Sequence, residues 1–276
     1  MPLYTLEADA YASVSPLFEG MDYHLAVMTV LARKTPGKIY ADDPATPRTA
    51  VLIPTNQHRI YLAGSAENSV AHEAIRALFA QNLAIQGRGS NSYECIVYYS
   101  SDDWKHALGL ILKDQKISMS WRQFYQLREQ RLEWRKHLPE NLMVRRIDAR
   151  LLADTALLNI ERVIEEIHSE SPSIKHFLQH NFGFCAQHGH TLVSWCMAEY
   201  HYQDRYELGI ETVEAHQRKG IATYTASAVI EHAFAVGATE IGWHCWGNNT
   251  ASTATARKLG FEKVKDYPVC YCLYRQ

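Results

Sequence analysis

The chain has 276 residues, 47% hydrophobic and 21% charged, with 28 basic side chains against 30 acidic ones and a formal net charge of -2. That length suggests one large or two ordinary domains, and that composition excludes a disordered chain. The near-neutral balance excludes a global basic field for nucleic acid, so any anion site must be local. No run approaches the roughly 18 apolar residues that would cross a bilayer, and no membrane partner is expected. Residues 1–14 carry acids and no apolar stretch, which argues against a secretory signal and for a cytoplasmic protein. Six cysteines in that setting are expected as reduced thiols.

In chain order, residues 21–34 predict a buried helix stopped by Thr35-Pro36-Gly37-Lys38, and two prolines make 41–48 a loop. Residues 50–54 and 59–63 read as short strands joined by a polar turn. From 69 to 83, Val70, Ile75, Leu78, Phe79 and Leu83 fall near one helical face, with Gly87 beyond it. Gly87-Arg88-Gly89 precedes a strand and reads as an ordinary loop. Residues 93–99 predict that strand, and Asp102 or Asp103 is placed to cap a helix over 104–113. The stretch 117–128 is expected to start extended and end as a polar helix or linker. Together these give a small α/β domain over 1–130.

The charged stretch 130–141, with Pro139, predicts the boundary. A strand restarts over 143–147, and Asp148 is a fair N-cap for a long amphipathic helix using Leu151, Leu152, Leu158 and Val163. Ser171-Pro172-Ser173 breaks it before a second helix over 174–179. Three strands follow in meander order, 182–187, 191–200 and 206–213, turning at Gly189 and at Gln203-Asp204. A helix then runs to Gly237, a strand covers 240–245, and a helix over 249–259 closes at Gly260. Residues 264–274 give one or two last strands. No internal repeat of 20–50 residues is visible.

The sharpest signal lies between the strand ending near Val213 and the helix after it. There Gln217-Arg218-Lys219-Gly220-Ile221-Ala222 joins a polar, glycine-bearing turn to a helix N-terminus. Unpaired N–H groups and the helix dipole, about half a positive charge, make such a junction an anion site. Arg218 and Lys219 add side-chain charge, and Gly220 lets a phosphate approach the backbone.

This element order, with two motifs, resembles the GNAT (general-control-related N-acetyltransferase) superfamily over 141–276. Gln217-Arg218-Lys219-Gly220-Ile221-Ala222 matches the family's Q/R-x-x-G-x-G/A pyrophosphate turn. Asn249-x-x-Ser252 followed by Lys258-Leu259-Gly260-Phe261 matches its helix after the fifth strand. The resemblance implies a mixed, mostly antiparallel central sheet flanked by helices over 141–276, preceded by a degenerate GNAT-like half over 1–130. That arrangement is similar to the zwittermicin-resistance-type branch.

It further implies acetyl transfer from acetyl-CoA directly to an amine, on a small molecule or a peptide. The pyrophosphate would rest on backbone N–H groups from Arg218 to Ala222, beside Gln217. Val213 would offer backbone groups to the pantetheine and one N–H to the thioester oxygen, an oxyanion contact worth on the order of 3 kcal/mol. Asn249 and Ser252 would line the other side of the cofactor's arm, and Asn249 reads equally as a helix N-cap.

A lysine-like ammonium costs roughly 4–5 kcal/mol to deprotonate at pH 7. Glu211 shares a strand face with Val213 and is the first candidate base. Its ordinary reading is a solvated or salt-bridged strand residue; Glu214 and His216 come second, with exposed turn positions as their ordinary reading. Where relatives carry a tyrosine as acid, this chain has Ala256. Tyr224, Tyr267 and Tyr271 are the substitutes to examine, with a buried core role as the alternative. The cluster His176, His180, Cys185, His188 and His190 fits no zinc spacing, so no metal is expected. Cys270 and Cys272 read as buried thiols, and Trp243 and Trp246 as core or acceptor-pocket residues. Arg257 and Lys258 read as solvated helix charges or as contacts to the 3′-phosphate. No cysteine or serine sits in a nucleophile-plus-base pattern, which favours direct transfer. A non-catalytic acyl-CoA-binding module is the rival reading.

Overall fold

Strand and helix signals of comparable length in the two halves become two units of like topology. The computed structural model describes residues 3–54, 58–86, 92–130 and 133–275. The first half contains β1 (Tyr4–Thr5), α1 (Tyr11–Val14), α2 (Leu25–Leu31), β2 (Gly37–Ala41), β3 (Thr49–Pro54), β4 (Arg59–Gly64), α3 (Ser69–Gln86), β5 (Ser92–Tyr99) and α4 (Trp104–Ile111). Next comes β6 (Lys116–Leu127), followed by a 3-10 turn at Trp134–His137. The second half has β7 (Met143–Arg146), α5 (Ala149–Leu152), α6 (Ile160–Glu170), α7 (Ile174–His180), β8 (Gly183–His188), β9 (Thr191–Tyr202) and β10 (Arg205–Thr212). It ends with a 3-10 turn at Glu214–His216, α8 (Ile221–Ala235), β11 (Glu240–Trp246), α9 (Thr250–Lys258) and β12 (Glu262–Arg275). Among the described residues no helix is long and apolar enough to cross a membrane.

By internal contacts the chain separates into one unit of Met1–Trp121 with Tyr267–Gln276 and another of Arg122–Asp266. In the first, β1 to β4 pair antiparallel in order, β4 and β5 pair parallel, and β5 pairs antiparallel with β12. In the second, β7 to β10 pair antiparallel in order, β10 and β11 pair parallel, and β11 pairs antiparallel with β6. Each unit is thus a meander, a helical crossover to a parallel strand, and a closing strand from the other half of the sequence. The sheets are mixed and mostly antiparallel, flanked by helices, as the family resemblance implies for 141–276.

In the second unit, alternation along β9 serves both faces. Cys196 and Ala198 pack with Ala226, Val229, Ile230 and Ala233 of α8, while Trp195 and Met197 pack with Ile160, Val163 and Ile167 of α6. Such burial explains why α8 is apolar around most of its circumference.

Several local expectations are corrected. β6 stays extended to Leu127, because Phe124, Tyr125 and Leu127 are buried and the segment pairs with β11 from Trp246↔Arg122 to Ile241↔Leu127. The helix expected from 148 onward breaks into α5 and α6. Between them Asn159 is left-handed at φ 69° and its amide donates to Leu192 C=O at 2.8 Å. Asp148 caps α5, accepting from Leu151 N–H at 2.8 Å, whereas Asp103 makes no side-chain cap on α4. The 130–141 stretch holds Trp134, which is buried and donates Nε1–H to Glu231 of α8 at 2.8 Å. Helix is confined to Leu25–Leu31 within 21–34, and 264–274 falls in the single strand β12. Gly87-Arg88-Gly89 lies outside the described residues.

Candidate functional site

The site begins where two strands part. β10 pairs with β11 only from Arg205↔Glu240 to Leu208↔Trp243, yet it stays paired with β9 as far as Thr212↔Ser194. Beyond Leu208 the parallel pair is open, and β9 shifts register there. Glu199, the residue the shift skips, folds over Gly209, where a β-carbon would lie 1.4 Å from Glu199 Oε1. The fork opens into a cleft of about 490 Å³. Ile210, Thr212 and Trp243 form its walls, and the turn from His216 to Ala222 with Asn249, Ser252 and Lys258 forms its mouth. A second groove, about 840 Å³, meets the end of β10 at Arg162, Glu211, Val213 and Glu214.

The turn is shaped by two left-handed residues, Arg218 at φ 61° and Gly220 at φ 75°. After Gln217 N–H, which donates to Glu214 C=O at 3.1 Å, the next of these turn donors to close a local bond is Thr223 N–H, to Gly220 C=O at 3.0 Å. The amides of Gly220, Ile221 and Ala222 come before the first closed helical turn and have no intrahelical acceptor. Gln217 Nε2 donates to Thr212 C=O at 3.0 Å and Lys219 Nζ to Ala215 C=O at 2.9 Å, so both side chains brace the turn. The positive charge at the mouth belongs to Arg218 and to Lys258, whose Nζ lies 3.9 Å from where a Gly220 β-carbon would stand. Asn249 caps α9 by accepting from Ser252 N–H at 3.0 Å, and Ser252 Oγ accepts from Trp243 Nε1–H at 3.0 Å.

Val213 does not present a free donor. Its N–H donates to Val193 C=O at 2.9 Å and its C=O accepts from His216 N–H at 2.8 Å. Along a strand, N–H groups alternate sides. With Val213 turned toward β9, the N–H groups of Thr212 and Ile210 point the other way, into the open fork. That alternation was available in the sequence once the β10 partner was known, and not before.

Glu211 pairs with Arg162 through Oε1 and Nη2, and the Arg162 guanidinium lies 5.3 Å from the Trp195 ring centroid. Glu214 is exposed on the 3-10 turn. His216 lines the cleft, its ring centroid 5.9 Å from that of His188, and its Nδ1 is buried with no partner among the described residues. Burial, then Lys219, then His188 hold its pKa below the ordinary imidazole value. Sequence reasoning passed over Glu207 and His244, a buried pair at 3.7 Å one residue either side of the last β10–β11 pairing. It also passed over Arg162, which is far from the motif in sequence.

Ala256 is fully buried with Trp243, Leu259 and Phe261. Tyr224 packs against the cluster of Leu142, Ala186, Val193 and Ile221 and is not itself among the residues lining the cleft. Tyr267 and Tyr271 belong to the first unit. Burial pushes the Cys185 thiol up to about 12, and its Sγ donates to Arg145 C=O at 3.7 Å. His176 and His180 contact each other on α7 with centroids 4.6 Å apart. Among the described residues no group of three or more His, Cys, Asp or Glu is arranged to hold a metal.

A family model described as GNAT acetyltransferase matches residues 15–270. The chain belongs to that family. It is 28% identical over 269 residues, 98% of both chains, to the uncharacterized N-acetyltransferase YdfB of Bacillus subtilis strain 168. It is similar in fold to a GCN5-related N-acetyltransferase-like protein from Streptococcus suis 89/1591, with a TM-score of 0.73 at 20% identity, covering 97% of this chain and 99% of that one. A tandem GNAT protein from the clavulanic acid biosynthesis pathway shares the fold at a TM-score of 0.56 and 10% identity, with 98% of each chain covered. The protein is therefore a GNAT-type N-acetyltransferase, and the fork of β10 and β11 is where its motifs converge.

Proposed function

We propose that the cleft binds acetyl-CoA and that the acetyl group passes directly to an amine arriving from the groove on the other side of β10. The observation that carries this reading is the convergence of a forked parallel pair with an uncapped helix N-terminus. The pyrophosphate rests on the amides from Arg218 to Ala222, facing Arg218 and Lys258, because unsatisfied N–H groups and a helix dipole favour phosphate there. Gln217 and Lys219 hold the turn. Asn249 and Ser252 border the pantetheine arm.

Because the Val213 N–H is already bonded to Val193, the thioester oxygen takes its hydrogen bond from Thr212 or Ile210, and Val213 acts by fixing the strand end. Glu211 is the base for the incoming ammonium, with the buried Glu207–His244 pair next in line. No tyrosine is needed for the leaving group, since a thiolate is a stable anion close to neutral pH. Within the family we assign the chain to the zwittermicin-resistance-type branch, in which the first half is a degenerate copy.

Calorimetric titration tests the cofactor reading. Acetyl-CoA is expected to bind the wild-type chain at micromolar Kd, and Arg218→Glu to weaken it about tenfold or more, about 1.4 kcal/mol. Equal affinity in the two chains, or no heat in either, overturns the site.

A further inference from the structure

Resting on that reading, we propose that the acceptor is a free α-amino acid, whose carboxylate takes Arg162 while its amine meets Glu211. The groove at the end of β10 has three charged side chains in its lining, Arg162, Glu211 and Glu214. The first two form an ion pair whose side chains are 44% and 38% exposed. An ion pair so open to water holds together by only about 1 kcal/mol or less, so a ligand can exchange into it.

The pair is also half used. Arg162 donates through Nη2 alone, and among the described residues its Nε and Nη1 hydrogens and Glu211 Oε2 have no partner. The guanidinium stays oriented when Glu211 lets go, because it stacks near Trp195, the residue directly opposite Glu211 on β9. A guanidinium with spare donors in a planar fork is the group that recognises carboxylate.

Charge counting selects the ligand class. A simple amine would take Glu211 and leave the guanidinium without a counter-ion beside a second cation. A simple carboxylate would do the reverse. A molecule with both charges replaces each partner one for one. Arg162 and Glu211 are in hydrogen-bond contact, so the two ligand charges must also be close, as on one α-carbon; a peptide carries its terminal charges too far apart.

The transfer balances on these groups. The ammonium gives one proton to Glu211, and the nitrogen lone pair forms the C–N bond to the thioester carbonyl carbon. The C–S bond breaks with its electron pair on sulfur. The nitrogen's second proton ends on the thiolate, and Glu211 returns its proton to solvent, giving the N-acetyl amino acid and free CoA.

The test is a steady-state assay with acetyl-CoA and matched acceptors: free α-amino acids, their α-amides and their decarboxylated amines. At least one acid is expected to exceed its amide and its amine in kcat/KM by about tenfold or more. Arg162→Gln should raise KM for the acid by a similar factor and erase its advantage over the amide, with Arg162→Lys falling between. Acetyl-CoA affinity by calorimetry should not move in either variant. Acetylation of amides or simple amines as well as of acids, or of no amino acid while acetyl-CoA binds, overturns this proposal alone. Absence of acetyl-CoA binding overturns the underlying reading as well.

Discussion

A β-carbon on Gly209 would stand 1.4 Å from Glu199 Oε1, 2.4 Å from its carboxyl carbon and 3.0 Å from Cγ. No rotation of the terminal carboxyl alone clears three such contacts, and Glu199 is 9% exposed with little room to withdraw. The backbone of Gly209 is extended, so the missing side chain, not an unusual φ, is what glycine supplies here. Gly209→Ala should therefore push Glu199 out of the register shift in β9 and cost about 1–3 kcal/mol, the usual penalty of overpacking. Urea melts of the two chains read that cost directly. A change below about 0.5 kcal/mol would mean that Glu199 is free to move and the fork is not braced by it. In sequence this glycine is one of 14, and nothing local separates it from a weak strand residue. Gly220 was legible, because it falls in a turn at a helix start, where the reason for glycine is written in adjacent residues.

The two crossover helices make the clearest comparison at the scale of elements. In the first unit the α3 N-terminus is closed: Asn68 Oδ1 accepts from Ala71 N–H at 3.2 Å, and Asn68 Nδ2 donates to Asp42 at 2.8 Å, which brings an anion to the turn. There β4 runs only from Arg59 to Gly64 and is paired with β5 as far as Leu62↔Tyr99, so little of the strand is left to diverge. In the second unit, α8 has no side-chain cap, Arg218, Lys219 and Lys258 stand at its turn, and β10 continues four residues past its last pair with β11. One acetyl-CoA per chain is the expected stoichiometry. A calorimetric stoichiometry near two, with Arg218→Glu removing only one site, would show that α3 also binds the cofactor. The α8 turn was readable because its whole chemistry lies within six consecutive residues. The far end of β6 was not, since its polar alternation resembles a linker until β11 is there to pair with it. Arg162 was hidden for the same reason: 49 residues separate it from Glu211, and only the packing of α6 on β9 brings them together.

Connectivity decides how the whole molecule responds to a cut. The strand that closes the first unit is the last in the sequence: β12 pairs with β5 from Val269↔Tyr98 to Arg275↔Ser92, and Val269, Cys270 and Cys272 are fully buried. Cys270 and Cys272 belong to the same apolar cluster as Ile75 and Phe79 of α3 and Trp104 and Leu108 of α4. A chain ending at Asp266 would keep every residue of the second unit and lose that strand. β5 would then expose an unpaired edge and an open core face, which a small unit withstands poorly. Amide hydrogen exchange on such a truncated chain should show protection lost in β4, β5, α3 and α4 and kept in β8 to β11. Micromolar acetyl-CoA binding should persist, because the cleft is lined by residues 210–258. That the last strand closes the first unit is not legible in sequence, since 264–274 has the apolar alternation of any final strand and periodicity is silent about partners. Uniform loss of protection across both units would mean that they fold as one cooperative body, and that the exchanged strands weld the halves together.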